Sequence, residues 1–325
     1  SLDPDSYFKG KTGGTFGKDA SKVLPGSKRV AVTGFRAIFV TGNTIKAQVR
    51  ASYFGGVDRS GANASMAVDL NGVDAVALQE ITDKAYANFL EQLRLAGREV
   101  VPASEFQDFL GGLEVTQQPY VKQVTQGYGK QTGMAYSPAG VPLWFSNWDM
   151  PWGDKGPFAQ KNIRSQAALS EKLGAITVAP LIVVDFAQMS SSGNRSGFLA
   201  RDAEVGATLA LSVNAFNTNL TRAEKTHSGI VTKGDDAGVS LTQPFVSNLG
   251  FGDIREVAKQ DNSAAKSIFD ALGKGMGLAN AGGAASSRSS NIAVTNNQAY
   301  SEAALDALGM ATGTFAGWFA KHPAP

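Results

Sequence analysis

Three of the four tryptophans of this 325-residue chain, Trp144, Trp148 and Trp152, lie in the segment VPLWFSNWDMPWGDKGP, residues 141–157, beside Asp149 and Asp154. Indole rings next to carboxylates suit two tasks. They stack on sugar faces or anchor a protein partner, with Asp149 and Asp154 accepting hydroxyl hydrogen bonds. Equally, large rings cover apolar surface that a long loop leaves open, and Trp144 and Trp148, four apart, then fold the loop onto a sheet as its own small core. Both readings stand at this point. Trp152, between Pro151 and Gly153, is the ring expected to be partly exposed.

The remaining reactive residues are sparse. Asp149 with Asp154, or Asp235 with Asp236, form pairs suited to general acid–base work, and a glycosidase needs two such carboxyls at a set distance across a sugar site. Asp235-Asp236 in KGDDAG reads instead as a hairpin turn, where Asp bonds its own backbone. Only two histidines occur, His227 and His322, and no HxH, HExxH or G-x-S-x-G pattern is present. Absence of cysteine rules out a disulfide, a thiolate metal site and a thiol nucleophile. The stretch FKGKTGGTFGK, residues 8–18, contains Gly10-Lys11-Thr12, but Asp5 stands where a phosphate loop needs glycine and no strand precedes it. GKGMG, residues 273–277, falls within a helical pattern. No catalytic residue, metal or cofactor is therefore expected.

Charge nearly cancels, with 30 Lys and Arg against 28 Asp and Glu, and the basic residues are scattered rather than gathered in the stripe of a nucleic-acid binder. No apolar run approaches the roughly 20 residues of a membrane-spanning helix. Low charge with abundant Gly, Ala, Ser, Asn and Thr is common among exported bacterial proteins.

The elements that must position these residues follow from periodicity. Residues 1–27 are polar and Gly/Lys-rich and read as an irregular arm. KRVAVTGFRAIFV, residues 28–40, reads as a strand, with Gly42-Asn43 as a hairpin turn into TIKAQVRASYF. Residues 74–96 carry Leu78, Ile81, Ala85, Phe89 and Leu93 on one helical stripe, with Asp74 as N-cap and Gly97 as stop. A short strand follows and completes a β-α-β unit with parallel strands. Residues 110–160 read as a long irregular insertion. A second helix over 163–173 leads to AITVAPLIVVDF, residues 175–186, an apolar run suited to a central strand covered on both faces. Alternation from Val205 to Val213 and two short strands around Gly234–Gly238 predict antiparallel pairing. Helices are expected over 263–279 and 300–322, separated by a mobile low-complexity loop. The predicted fold is α/β, a mixed sheet of β-α-β-α-β-β-β order over residues 28–258, with C-terminal helices from 259–325 packed on the same domain. The oily run ending at Phe186 should sit mid-sheet beside the Val30 strand, under the Leu78–Leu93 stripe.

Several phrases resemble one family. VAVTGF (Val30–Phe35), the GREVVPAS strand (Gly97–Ser104) and the LGA before a strand (Leu173–Ala175) are similar to the cell-envelope family that includes the curli-secretion lipoprotein CsgG, and to the related N-terminal domain of TolB. The resemblance runs over roughly residues 28–251, with large insertions. It implies a non-catalytic periplasmic or outer-membrane-associated protein that acts in envelope assembly or secretion, by docking on an envelope partner or by self-association. The family's pore-forming member inserts two hairpins with alternating lipid-facing residues; the matching segments here, residues 44–54 and 203–219, lack an aromatic girdle. Membrane contact is expected only through a lipid anchor ahead of residue 1, and no nucleic acid is expected. An alternative from the tryptophan segment is a glycan-binding or carbohydrate-active protein.

Overall fold

The computed structural model describes residues 2–11, 19–49, 52–54, 57–59, 62–126, 129–146, 149–153, 159–194, 202–227, 230–261 and 285–325. In chain order, α1 (Pro4–Tyr7), β1 (Phe8–Lys11) and α2 (Ala20–Val23) precede the first central strands, β2 (Arg29–Val32) and β3 (Arg36–Val49). Then come β4 (Ser52–Phe54), β5 (Val57–Arg59), β6 (Ala62–Asn71), α3 (Ala75–Leu95), β7 (Glu99–Val100) and α4 (Gln107–Gly111). A hairpin of β8 (Tyr120–Gln126) and β9 (Gly129–Tyr136) leads to α5 (Ala159–Leu173), β10 (Ile176–Val178) and β11 (Leu181–Asn194). The chain continues with β12 (Asp202–His227), β13 (Ile230–Leu241), β14 (Phe245–Val246), β15 (Gly252–Asp261), β16 (Ala285–Thr295) and α6 (Asn297–Lys321).

The fold is α/β with a mixed sheet. Its longest path runs β15-β16-β6-β3-β11-β12-β10-β2-β7. Parallel pairing joins β3 to β11 in mid-path, and β2 to β10 and to the terminal β7. Leu181, Ile182, Val183 and Val184 are fully buried, as a strand covered on both faces requires. The Ala179-Pro180 dipeptide divides the predicted 175–186 strand into β10 and β11, since proline gives no ladder N–H.

One helix layer covers this centre. The stripe Leu78, Ile81, Ala85, Phe89 and Leu93 of α3 is buried in the same core cluster as Val30 and Ile182, and each large side chain so placed contributes roughly 1.5–3 kcal/mol. The Asp74 carboxylate accepts from the Ala77 amide at 2.9 Å and caps the helix, which holds its pKa below the usual value. Asn297 at the start of α6 locks the two helix starts together. Its Oδ1 accepts from the Asp74 amide and its Nδ2 donates to the Asp74 carboxylate. Alanines at 303, 304, 307 and 311 are all buried and let α6 approach its neighbours closely, while Phe315 meets Phe89 and Phe216 at ring-centroid distances of 6.0 and 4.9 Å.

Five expectations change. The arm at residues 1–27 is not irregular throughout: β1 pairs with β13, and Phe8 is buried against Phe216 and Phe315. Gly42-Asn43 is not a turn. Strand β3 runs through it, with Gly42 opposite Asp69 and Asn43 opposite Val68 in the β3–β6 ladder. The 110–160 insertion contains the β8–β9 hairpin, whose Gln, Thr and Gly content hid a strand pattern. Strand β13 is continuous through Gly234–Gly238, so Asp235 and Asp236 pair with Arg222 and Thr221 rather than forming a turn. Finally, residues 285–291 of the presumed loop belong to β16, which pairs in parallel with β6; the expected helix over 263–279 lies outside the described residues.

The sheet forks. Strand β11 pairs with β3 only from Arg36 to Phe39, after which β6 takes over that side of β3 from Gly42 to Val49. Strand β11 departs with β12, pairing with it as far as Asn194. Three extended antiparallel pairs, β3–β6, β11–β12 and β15–β16, thus project past the helix-covered centre.

Candidate functional site

The tryptophan segment packs inward. Trp144 is 2% exposed and Trp152 3%, so the expected exposure of Trp152 is not observed; Trp148 and Asp154 lie outside the described residues. Each described ring sits over a glycine. A Cβ at Gly34 would come within 2.8 Å of the Trp144 indole nitrogen, and one at Gly133 within 2.7 Å of the Trp152 ring. The Trp144 indole N–H donates to the Thr33 carbonyl at 3.0 Å. Lys122 donates to the carbonyls of Trp152 and Gly153, fixing that turn from the β8 side.

Asp149 is also buried, and it serves a clamp. Arg36, the first residue of β3, donates through Nη1 to Asp149 Oδ2 at 2.6 Å and to the Trp144 carbonyl at 3.0 Å. Its Nε donates to the Pro180 carbonyl at 3.3 Å, and Nη2 donates to the Ala179 carbonyl. The guanidinium lies 4.7 Å from the centre of the Trp144 ring, within cation–π range. Asp149 Oδ2 accepts further from the Ser146 amide and hydroxyl. One buried cation therefore ties the aromatic loop, the strand start and the β10–β11 junction together. Sequence reading missed Arg36: a lone arginine opening an apolar strand was the only signal. A cavity of about 220 Å³ opens beside the clamp, bounded by α5 and the β12–β13 ladder.

A second polar cluster fills the fork. Asp185, 4% exposed, follows the last β3–β11 ladder residue. Its Oδ1 accepts from Asn43 Nδ2 at 2.8 Å and the Ala187 amide at 3.2 Å. Its Oδ2 accepts from Gln131 Nε2 at 2.7 Å and Asn214 Nδ2 at 3.0 Å. Burial pushes its pKa up, against the pull of these donors. The Tyr300 phenol is raised too, by burial first and by the Asp185 charge second. Each oxygen thus accepts two hydrogen bonds, from β3 and β11 on one and from β9 and β12 on the other. It joins strands on both sides of the fork, next to a cavity of about 420 Å³ that Lys130 and Met189 also line.

No group of three or more His, Asp and Glu side chains able to hold a metal occurs among the described residues. Asp236 is held by Thr221 and raised by burial in mid-strand. His227 ends β12, while the His322 carbonyl accepts from Arg98 at the end of α6. Gly10 and Lys11 are strand residues, and GKGMG lies outside the described residues. No family profile, curated protein or solved structure matches the chain. Among the described residues no helix is long and apolar enough to cross a membrane.

Two predictions follow the two clusters. Asp149→Ala should lower stability by about 3–5 kcal/mol, because Arg36 is left buried without its partner. The double variant Arg36→Met/Asp149→Leu should recover little of this, since the guanidinium also satisfies three carbonyls; urea melts of both variants check it. For Asp185, the folded pKa exceeds the unfolded one, so the native state binds more protons just above the ordinary carboxylate range. Its contribution to stability therefore falls as pH rises through that interval. Urea midpoints from about pH 4 to about pH 8 should show this slope in the wild type, reduced in Asp185→Asn, with Asp236 supplying the remainder.

Proposed function

We propose that the chain is a non-catalytic, exported envelope protein, periplasmic or associated with the outer membrane, that acts in assembly or secretion by self-association or by docking on an envelope partner. The observation that carries this reading is an open sheet edge. On the side of β12 away from β11, β14 pairs at Ser212 and Val213, the Ser247 amide donates to the Leu211 carbonyl and β13 pairs from Asn217 onward, while residues Asp202 to Ala210 have no ladder partner among the described residues. Monomeric proteins blunt such edges with lysine, proline or bulges. From Val205 to Leu209 this edge carries no charge, no proline and no bulge; the bulge in the β11–β12 ladder comes after it, between Leu209 and Ser212.

The other wing edge, β15, differs in character. It pairs only with β16 among the described residues and carries Asp253, Arg255, Glu256, Lys259 and Asp261. Among the unpaired edges of the described residues one is thus uncharged and another charged. Unlike edges that meet head to tail generate rings or filaments rather than closed dimers. The resemblance of residues 28–251 to the CsgG family supports the same reading. A second reading, glycan binding at the Trp144–Trp152 segment, has the cavity beside Trp144 in its favour.

Sedimentation of purified protein should reveal self-association, or chemical cross-linking should capture an envelope partner. Thr208→Lys with Ala210→Lys, which charges the open edge, should weaken association at least tenfold, about 1.4 kcal/mol. A protein that remains monomeric at every concentration and cross-links to nothing contradicts the proposal.

A further inference from the structure

We propose that the cavity beside the Arg36–Asp149 clamp is a binding site for a small uncharged hydroxylated molecule, a polyol or a single sugar unit. The cavity holds about 220 Å³, space for roughly seven waters at about 30 Å³ each. That is below the roughly 300–1,000 Å³ of pockets for drug-sized ligands, so the occupant is small. The site is independent of the open β12 edge and of self-association.

Charge and hydrogen-bonding capacity define the occupant. Both ionic groups in the wall, Arg36 and Asp149, neutralise each other at 2.6 Å. A charged ligand would meet one like charge beside each opposite one, and neither ionic group is free to exchange its partner. The uncharged amides are different. Gln166, 7% exposed, accepts through Oε1 from the Thr33 hydroxyl at 2.6 Å, which leaves its Nε2 donor without a partner. Asn219 donates through Nδ2 to the Thr221 hydroxyl at 3.1 Å, which leaves its Oδ1 acceptor without one. Both residues line this cavity, and each unmet group costs about 1–3 kcal/mol.

One wall group therefore requires an acceptor and the other a donor. A hydroxyl is both at once, and its orientation adapts by rotation. Ser240 and Asn217 add further polar wall, while Trp144, Ile163 and Val239 give apolar surface for C–H groups. A polyol or sugar presents this mixture of hydroxyl and C–H faces; a hydrocarbon would leave the amides unmet, and a salt would disturb the clamp.

The test is saturation-transfer NMR on the full chain with glycerol, myo-inositol and glucose as probes, against acetate, guanidinium and indole as controls. At least one hydroxylated probe should show transfer and the controls none. Gln166→Glu keeps the acceptor to Thr33 but removes the free donor, and should weaken binding at least tenfold. Ser240→Leu, at a half-buried wall position, should abolish binding with the circular dichroism spectrum unchanged, which keeps the test decisive if Gln166→Glu does not fold. No transfer from any hydroxylated probe, transfer from a control instead, or equal binding by folded Gln166→Glu and Ser240→Leu would each overturn the proposal.

Discussion

The short parallel ladder between Arg36–Phe39 and Leu181–Val184 is the constraint on which the rest depends. It places the oiliest strand mid-sheet, under the α3 stripe, and it ends where the sheet forks. Backbone N–H and C=O groups on both strands must find partners past that point, because unpaired buried ladder groups are costly. Strand β6 supplies them for β3; on β11, which keeps β12 on its opposite side as far as Asn194, the Ala187 amide donates to the Asp185 carboxylate. Asp185 stands at the parting with donors from β3, β9 and β12 around it. A carboxylate there accepts from strands that no longer share a ladder, so it keeps the branches in register without a backbone bond.

Arg36 begins the same ladder, and through it the aromatic loop depends on the same constraint. Its three carbonyl acceptors lie on segments far apart in sequence, at Trp144, Ala179 and Pro180. Burying an ion pair is weak evidence for stability in general. Here the cation also satisfies backbone groups at a strand junction interrupted by proline, so its position matters more than its charge. The rings of Trp144 and Trp152 then seal the loop against Gly34 and Gly133.

Elements with one strong period were legible in the sequence. The α3 stripe with its Asp74 cap and the C-terminal helix α6 fall where periodicity and caps put them, because each buries a continuous face; the apolar run 175–186 is buried as expected but is split at Ala179-Pro180 and continues as β11 to Asn194. The wings were hidden for the opposite reason. Strands β9 and β16 are rich in Gln, Thr, Ser, Gly and Ala, whose alternation is weak, β8 sets Tyr120, Val121 and Val124 among polar residues without a period of two, and Gly42-Asn43 imitates a turn. Asn43 is engaged by a neighbour distant in sequence, Asp185. The candidate site was half legible. Asp149 and the tryptophans were singled out, but the partner that explains them, Arg36, lies 113 residues away in sequence, and no local pattern reveals that contact.

In the proposed account, a rigid helix-covered centre holds extended hairpins whose outer edges remain available to other chains. The most direct measurement is amide hydrogen exchange across β12 as protein concentration is raised. The account predicts slower exchange from Val205 to Leu209 on assembly, with Asn217 to Ala223, already laddered on β13, unchanged. Exchange from Val205 to Leu209 that stays the same at every concentration, with or without an envelope extract, would contradict it.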